Sequence, residues 1–197
     1  FKYYFEKGCF QMKTSTKKLT VSAMLVALAV VLSFIKIFDA PYGGSVTAGS
    51  MVPLILIGCL FGSKQGVLAC FVYALIQMLL GFVAPPANTF FAFTAEVLLD
   101  YVIAFGVLGL SGTFFKAMGK KAYALPVAGF IVIFCRFICH FLSGILIWGI
   151  YAGEGQPVWL YSLTYNGSYM LFEAIISAVI LAAVSKPFVK NLDKLNS

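Results

Sequence analysis

The sequence has few charged residues. Only 11% of its 197 residues are Asp, Glu, Lys or Arg, whereas 61% are hydrophobic and the mean hydropathy is +0.97. Soluble domains carry about 25% charged residues. The composition therefore indicates one membrane domain and leaves no room for an additional soluble catalytic domain.

Several catalytic motifs are also missing. There is no G-x-x-x-x-G-K phosphate loop, which excludes ATP hydrolysis by that route, and there is no nucleophile elbow or H-E-x-x-H motif. Cys135, Cys139 and His140 are an incomplete set of zinc ligands. The cysteines lie mostly in apolar segments, which is not typical of a disulfide framework. We predict no enzyme activity, no metal and no cofactor.

Apolar segments predict an all-α integral membrane protein, a bundle of about six transmembrane helices. A spanning helix needs roughly 20 residues. Residues 13–197 are predicted to form this domain, and residues 1–12 to be an N-terminal extension outside it, since Met12 resembles a natural start. The predicted helices are about Leu19–Phe38, Met51–Gly62, Gln65–Val83, Thr89–Phe115, Tyr123–Tyr151 and Tyr165–Val189.

The lysines predict the orientation of the bundle. They precede the first helix, occupy alternate connections and follow the last helix, at Lys13, Lys17, Lys18, Lys64, Lys116, Lys120, Lys121, Lys186, Lys190 and Lys194. The remaining connections carry Asp39 and Glu154 instead. Since cytoplasmic loops are enriched in Lys and Arg, both termini are predicted to be cytoplasmic. The net charge of +7 then reflects topology rather than binding to nucleic acid.

Five ionisable residues nevertheless lie inside the predicted spans: Glu96, Asp100, Arg136, His140 and Glu173. A charge at the centre of a bilayer costs about 2.5–3.5 kcal/mol on insertion scales, so such residues usually face a bundle interior or a cavity. They indicate a pocket for a small polar solute, cationic or aromatic.

Helical spacing places several of these residues together. On the fifth helix, a spacing of four residues predicts one stripe formed by Arg136, His140, Gly144 and Trp148. On the fourth helix, Glu96 and Asp100 share a face, and Tyr101 is adjacent. Tyr161 and Asn166 are predicted at the outer mouth, around the start of the sixth helix. The predicted substrate site consists of these nine residues.

Simpler interpretations remain for single residues. Asp100 and Arg136 are also consistent with a structural ion pair, Glu173 with a partner of Arg136, and Trp148 with an interfacial aromatic belt. On the first helix, Ala23 and Ala27 form a small-xxx-small pair, which permits close approach of another helix. That spacing fits either packing within the chain or contact with a partner.

Three segments carry a resemblance to a known family: Leu98–Phe105, Arg136–Gly144 and Trp159–Tyr169. From about Lys18 to Val189 the chain resembles the substrate-binding S components of energy-coupling factor (ECF) vitamin transporters, most closely the thiamine-specific ones. The resemblance implies that eight of the nine predicted site residues, all except Glu96, bind thiamine. It also implies that Ala23 and Ala27 form the A-x-x-x-A motif that docks on a transmembrane coupling subunit, which works with two ATPases.

The chain departs from some relatives at three places. Some have Glu at the position of Asp100, Lys at that of Arg136, and a Trp in the first outer loop, where this chain has Gly43-Gly44. The resemblance implies a multi-pass protein of a prokaryotic cell membrane whose site opens to the outside. Three alternatives are a related ligand such as hydroxymethylpyrimidine, a proton-coupled carrier using Glu96, Asp100 and His140, and an intramembrane enzyme.

Overall fold

The chain folds into a bundle of helices. The computed structural model describes residues 14–192, so the predicted extension at residues 1–12 lies outside the described residues. In the described part, the helices are α1 (Thr14–Phe34), α2 (Met51–Phe61), α3 (Ser63–Gly81), α4 (Phe90–Ala117), α5 (Ala124–Leu146) and α6 (Val158–Lys190). All except α2 are long and apolar enough to cross a membrane. The predicted all-α membrane bundle of about six helices is confirmed.

The short helix α2 lies at the centre of the bundle. It has 11 residues, and its central residues Leu54, Ile55 and Ile57 are fully buried. Helices α1, α3 and α4 surround it. A helix that is apolar on every side is stable only when it is enclosed. The outer helices instead expose apolar side chains such as Leu79 and Leu171, as expected of surfaces that contact lipid.

Glycines allow α2, α3 and α4 to cross at very short range. A Cβ atom added to Gly109 of α4 would lie 2.3 Å from the carbonyl carbon of Gly66 on α3. A Cβ on Gly112 would lie 2.1 Å from the carbonyl oxygen of Gly58 on α2. Small residues at such crossings let helix backbones approach closely. The junction fixes α4, which carries part of the candidate site, against the centre of the bundle.

The connection between α1 and α2 differs from the prediction. The first helix was predicted to reach Phe38, but it ends at Phe34, and Lys36–Asp39 forms strand β1. This strand pairs antiparallel with β2 (Ser45–Thr47), through a turn that contains Pro41–Gly43. The segment Ile35–Phe38 is apolar enough to continue a helix. A short apolar run does not by itself distinguish a helix from a strand.

Two helix ends on the same side also differ from the prediction. Helix α5 ends at Leu146 rather than Tyr151, so Trp148 follows the helix and precedes a 3₁₀ turn at Gly149–Tyr151. Helix α6 begins at Val158, after Pro157, rather than at Tyr165. Trp159, which falls between the predicted fifth and sixth helices, therefore belongs to α6. Polar residues in the first turns of α6 lower the local hydropathy. The hydropathy pattern therefore did not show that the helix begins at Val158.

Helix α4 is irregular at its centre. Residues Val97–Val102 form a π-helical turn, in which the N–H of Ile103 bonds to the carbonyl of Leu98. A 3₁₀ segment follows at Val107–Leu110. Asp100 and Tyr101 both lie in the π-helical turn. Single π turns within α-helices are rare and occur frequently at functional sites.

Candidate substrate-binding site

All nine predicted site residues line one cavity, which we call the chamber. Its volume is about 320 Å³. The residues come from α4, α5, α6 and the segment after α5: Glu96, Asp100, Tyr101, Arg136, His140, Gly144, Trp148, Tyr161 and Asn166. Lys36 and Gly44 of the β-hairpin segment also line the chamber. The structure thus brings the predicted residues together; that they bind a ligand remains a prediction.

Asp100 is the centre of a hydrogen-bond cluster. Its Oδ1 lies 2.7 Å from Nδ1 of His140, and its Oδ2 accepts from the hydroxyl of Ser143 and, at 3.3 Å, from the indole N–H of Trp148. Only 15% of the Asp100 side chain is exposed. A carboxylate held by several donors has a fixed orientation. The cluster therefore presents a positioned negative charge beside the Trp148 ring.

Trp148 reaches this cluster although it lies beyond the end of α5. The predicted four-residue stripe is wrong at its last member, because the helix has ended at Leu146. The indole nevertheless lines the chamber and stacks on Tyr151, with ring centroids 6.1 Å apart. The indole N–H donates a hydrogen bond to Asp100. This bond explains the position of Trp148 without an interfacial aromatic belt.

Arg136 has no carboxylate partner within the described residues. The two salt bridges there are His140–Asp100 and Lys36–Asp39, so neither an Asp100–Arg136 nor an Arg136–Glu173 ion pair forms. The guanidinium instead lies over the Phe105 ring, 3.8 Å from its centroid. Its Nε and Nη1 atoms are buried and have no hydrogen-bond partner among residues 14–192. A buried cation usually requires compensation, and Arg136 is one of the residues that line the chamber.

Asn166 is held by the protein itself. Its Nδ2 donates to the carbonyls of His140 and Ser162, each at 3.1 Å, and its Oδ1 accepts from the hydroxyl of Tyr169 at 2.7 Å. Gly144 makes this arrangement possible, because a Cβ there would lie 2.1 Å from Ser162 Oγ and 2.9 Å from Asn166 Nδ2. Side chains of α6 therefore occupy the space beside Gly144.

Tyr101 is also engaged by the protein. Its hydroxyl donates to the carbonyl of Gly81 and accepts from the N–H of Val83, both at 3.3 Å. Its ring stacks on Phe82 at 5.6 Å between centroids. Tyr101 thus fixes the segment after α3 as one wall of the chamber.

The sequence did not predict several polar residues of the chamber. Gln77 of α3 donates to Ser33 of α1 at 3.0 Å, and both line the chamber. Tyr165 of α6 donates to the carbonyl of Pro41 and accepts from the N–H of Gly44 at 3.2 Å, which ties the hairpin segment to α6. Polar residues inside apolar spans were the available signal for Ser33 and Gln77.

Glu173 anchors the base of the hairpin. Its Oε1 accepts from both the backbone N–H of Thr47, at 2.5 Å, and the Thr47 hydroxyl, at 2.7 Å. Only 1% of Glu173 is exposed, and the residue lines the chamber. Its second oxygen, Oε2, has no hydrogen-bond partner among the described residues.

Ala23 and Ala27 lie away from the chamber. Both are exposed on α1, whereas Ser22, Val26 and Ala29 form the buried face of that helix. The structure therefore shows a small-residue surface that no helix of the described part covers. Packing of this pair against another helix, the alternative interpretation, is not found among residues 14–192.

The bundle and the chamber define a multi-pass membrane protein with an internal cavity lined by polar side chains. The family model described as thiamine transporter protein (Thia_YuaJ) matches residues 19–192. The chain belongs to this thiamine transporter protein family. It is therefore a transport protein rather than an enzyme.

Individual relatives agree with this assignment. A thiamine transporter ThiT from Bacillus subtilis (strain 168) is 35% identical over 170 residues, which cover 81% of this chain and 85% of that protein. A thiamine transporter ThiT from Lacticaseibacillus paracasei is 28% identical over 181 residues, covering 83% and 84%. A solved structure of ThiT from Listeria monocytogenes has the same fold, with a TM-score of 0.71 and 23% identity over 93% of this chain and 99% of that one.

Proposed function

We propose that this chain captures thiamine as the substrate-binding S component of a vitamin importer. The observation that carries the proposal is the Asp100 cluster, a positioned carboxylate beside the Trp148 ring in the chamber of a thiamine transporter family member. Thiamine joins a cationic thiazolium ring, which bears a hydroxyethyl group, to a neutral aminopyrimidine. The cluster offers negative charge and an aromatic face to the thiazolium.

The strength of these contacts suits a small cation. A cation over an aromatic face gains about 0.5–2 kcal/mol, and the gain is larger where water is excluded. Glu96 also lines the chamber, is 2% exposed, and has an oxygen, Oε2, without a partner among the described residues. Glu96 thus places a second, buried carboxyl group one turn from the Asp100 carboxylate at this level of the chamber.

The proposal includes an orientation in the membrane. Lys64, Lys116 and Lys190 lie at the ends of helices on the side opposite the hairpin and Trp148. Lysine-rich ends face the cytoplasm. The chamber then opens to the outside of a prokaryotic cell, and both termini are cytoplasmic.

Transport requires partners in this proposal. The sequence has no phosphate loop, so the energy comes from two separate ATPases acting through a transmembrane coupling subunit. The exposed pair Ala23 and Ala27 is the proposed docking surface on that subunit, because small side chains allow another helix to approach closely.

A binding titration tests the proposal. The purified protein is titrated with thiamine, hydroxymethylpyrimidine and riboflavin, and tryptophan fluorescence is recorded. Saturable quenching by thiamine at the lowest concentration is expected. A stronger response to hydroxymethylpyrimidine would replace the proposed ligand by the pyrimidine precursor, and no saturable response to either would refute the proposal.

A transport assay separates the S component from a proton-coupled carrier. In vesicles that contain this chain alone, thiamine uptake should be absent with or without a pH gradient. Uptake should appear when the coupling subunit and ATPases are added with ATP. Uptake by the chain alone under a pH gradient would instead support a carrier that uses Glu96, Asp100 and His140.

A further inference from the structure

An apolar groove lies between α5 and α6, outside the chamber, and we call it the lateral groove. Its volume is about 330 Å³. Its walls are apolar residues of the two helices, among them Phe130, Phe134, Phe137, Gly167, Leu171 and Ala174. Gly167 keeps the groove open, because a Cβ atom built there would approach only Phe137, at 4.0 Å. No residue that lines this groove also lines the chamber, so the two cavities are separate.

The lateral groove lies within one leaflet's reach of the start of α5. Helix α5 begins at Ala124, so Phe130 lies about 9 Å and Phe137 about 20 Å further along its axis. One leaflet of a bilayer contributes about 15 Å of hydrocarbon. An acyl chain that starts at the polar surface near Ala124 and runs along α5 therefore enters the groove.

A cluster of lysines lies at the end of the helices from which the groove is reached. The cluster consists of four exposed residues, Lys120, Lys121, Lys186 and Lys190. The first two directly precede α5, and the other two belong to the last turns of α6. Because Gly129 packs against Leu181 and Gly144 against Ser162, the two helices are antiparallel, and the last turns of α6 lie beside the start of α5.

The positive charge of this lysine cluster is not balanced within the described residues. None of the four lysines forms a salt bridge there. The described acidic residues lie in the chamber or in connections at the opposite end of the bundle: Asp39, Glu96, Asp100, Glu154 and Glu173. Each lysine near a membrane surface strengthens the binding of anionic headgroups by about fivefold. The cluster therefore selects a negatively charged headgroup.

We propose that the lysine cluster and the lateral groove together bind one anionic phospholipid, with its phosphate at the lysines and an acyl chain in the groove. Tyr123 supports this placement. It is 58% exposed and lies two turns before Phe130 on the same face of α5, at the level where tyrosines meet the membrane surface. The site is also distinct from the proposed docking surface, since α1 packs against α2, α3 and β2.

Native mass spectrometry of the full-length protein in detergent tests the charge preference. Dioleoyl phosphatidylglycerol, which is anionic, is compared with dioleoyl phosphatidylcholine, which has the same chains and no net charge. The wild-type protein should retain the first phosphatidylglycerol molecule at least tenfold more tightly. Equal retention of the two lipids would overturn the proposal.

Charge variants locate the headgroup. The double variant K120Q/K121Q should bind phosphatidylglycerol about tenfold more weakly or worse and should lose most of the preference over phosphatidylcholine. The matched variant K18Q/K64Q removes the same charge from the starts of α1 and α3 and should keep the preference. An equal loss in both variants would show a general attraction of the basic surface and would refute a site at α5.

A variant that fills the groove locates the acyl chain. Gly167→Leu should weaken phosphatidylglycerol binding severalfold, whereas Ala183→Leu, at an exposed position of α6 outside the groove, should not. Unchanged lipid binding in folded G167L would show that no chain occupies the groove. Should G167L not fold, competition on the wild-type protein decides. The soluble headgroup glycerol 3-phosphate should not displace the lipid, and displacement at similar concentrations would overturn the part assigned to the chain.

Discussion

Asp100→Asn tests the charge at the centre of the candidate site with little change of shape. In the wild-type protein, Oδ2 accepts from Ser143 and Trp148, and Oδ1 lies against Nδ1 of His140. The asparagine oxygen can keep the contacts of Oδ2. Its amide nitrogen can donate to Nδ1 of His140 once the imidazole adopts the other tautomer. The variant should therefore fold, and the main loss is the negative charge.

The magnitude follows from the burial of that charge. With 15% of its side chain exposed, Asp100 interacts with a cation under weak solvent screening. A hydrogen bond to a charged group contributes about 1.5–3 kcal/mol. At about 1.4 kcal/mol for each factor of ten, thiamine affinity should fall by roughly tenfold to a hundredfold.

The assay is the fluorescence titration, with competition by unlabelled thiamine as a second measurement. Glu154→Gln is the control, because it removes one negative charge from an exposed loop on the same side of the bundle; its affinity should stay close to that of the wild type. Unchanged affinity in a folded D100N protein would refute Asp100 as the group that binds the cation.

Three further variants test other parts of the proposal. Trp148→Phe should remove most of the ligand-dependent fluorescence change and weaken binding, whereas Trp159→Phe should affect both less; an intact signal and affinity in W148F would contradict stacking on this ring. Gly144→Ala places a Cβ 2.9 Å from Asn166 Nδ2, so thermal stability and thiamine affinity should both fall, and retention of both would show that α6 adjusts at no cost. Ala27→Trp should abolish partner-dependent uptake while isolated protein still binds thiamine, since the bulky side chain blocks helix contact; surviving uptake would exclude this surface as the docking site.

The sequence predicted the candidate site better than the exact ends of the helices. Asp100, His140 and Arg136 were recognisable because an ionisable residue within an apolar span needs a polar environment. Helical spacing then placed them on common faces. The bundle followed from six apolar segments, and the structure confirms it.

Features that depend on contacts distant in sequence were not predictable. The hairpin strand Lys36–Asp39 is specified by its pairing with Ser45–Thr47 and by the tie to Tyr165, which a local hydropathy pattern does not reveal. The alternative of an ion pair between Arg136 and Asp100 or Glu173 is not found among the described residues, where the guanidinium lies over Phe105 instead. Glu173 gave an ambiguous signal, because its partner Thr47 lies 126 residues away in the sequence.

The π-helical turn in α4 affects how this chain should be compared with its relatives. A π turn contains one residue more than the α-helical turn it replaces, and one residue corresponds to a rotation of about 100° around a helix. In a relative whose fourth helix is regular, an alignment without a gap across Val97–Val102 would assign the wrong counterpart either to Glu96 or to Asp100. Ligand residues should therefore be transferred between members of the family only after superposition of this helix, with a one-residue gap allowed at the turn.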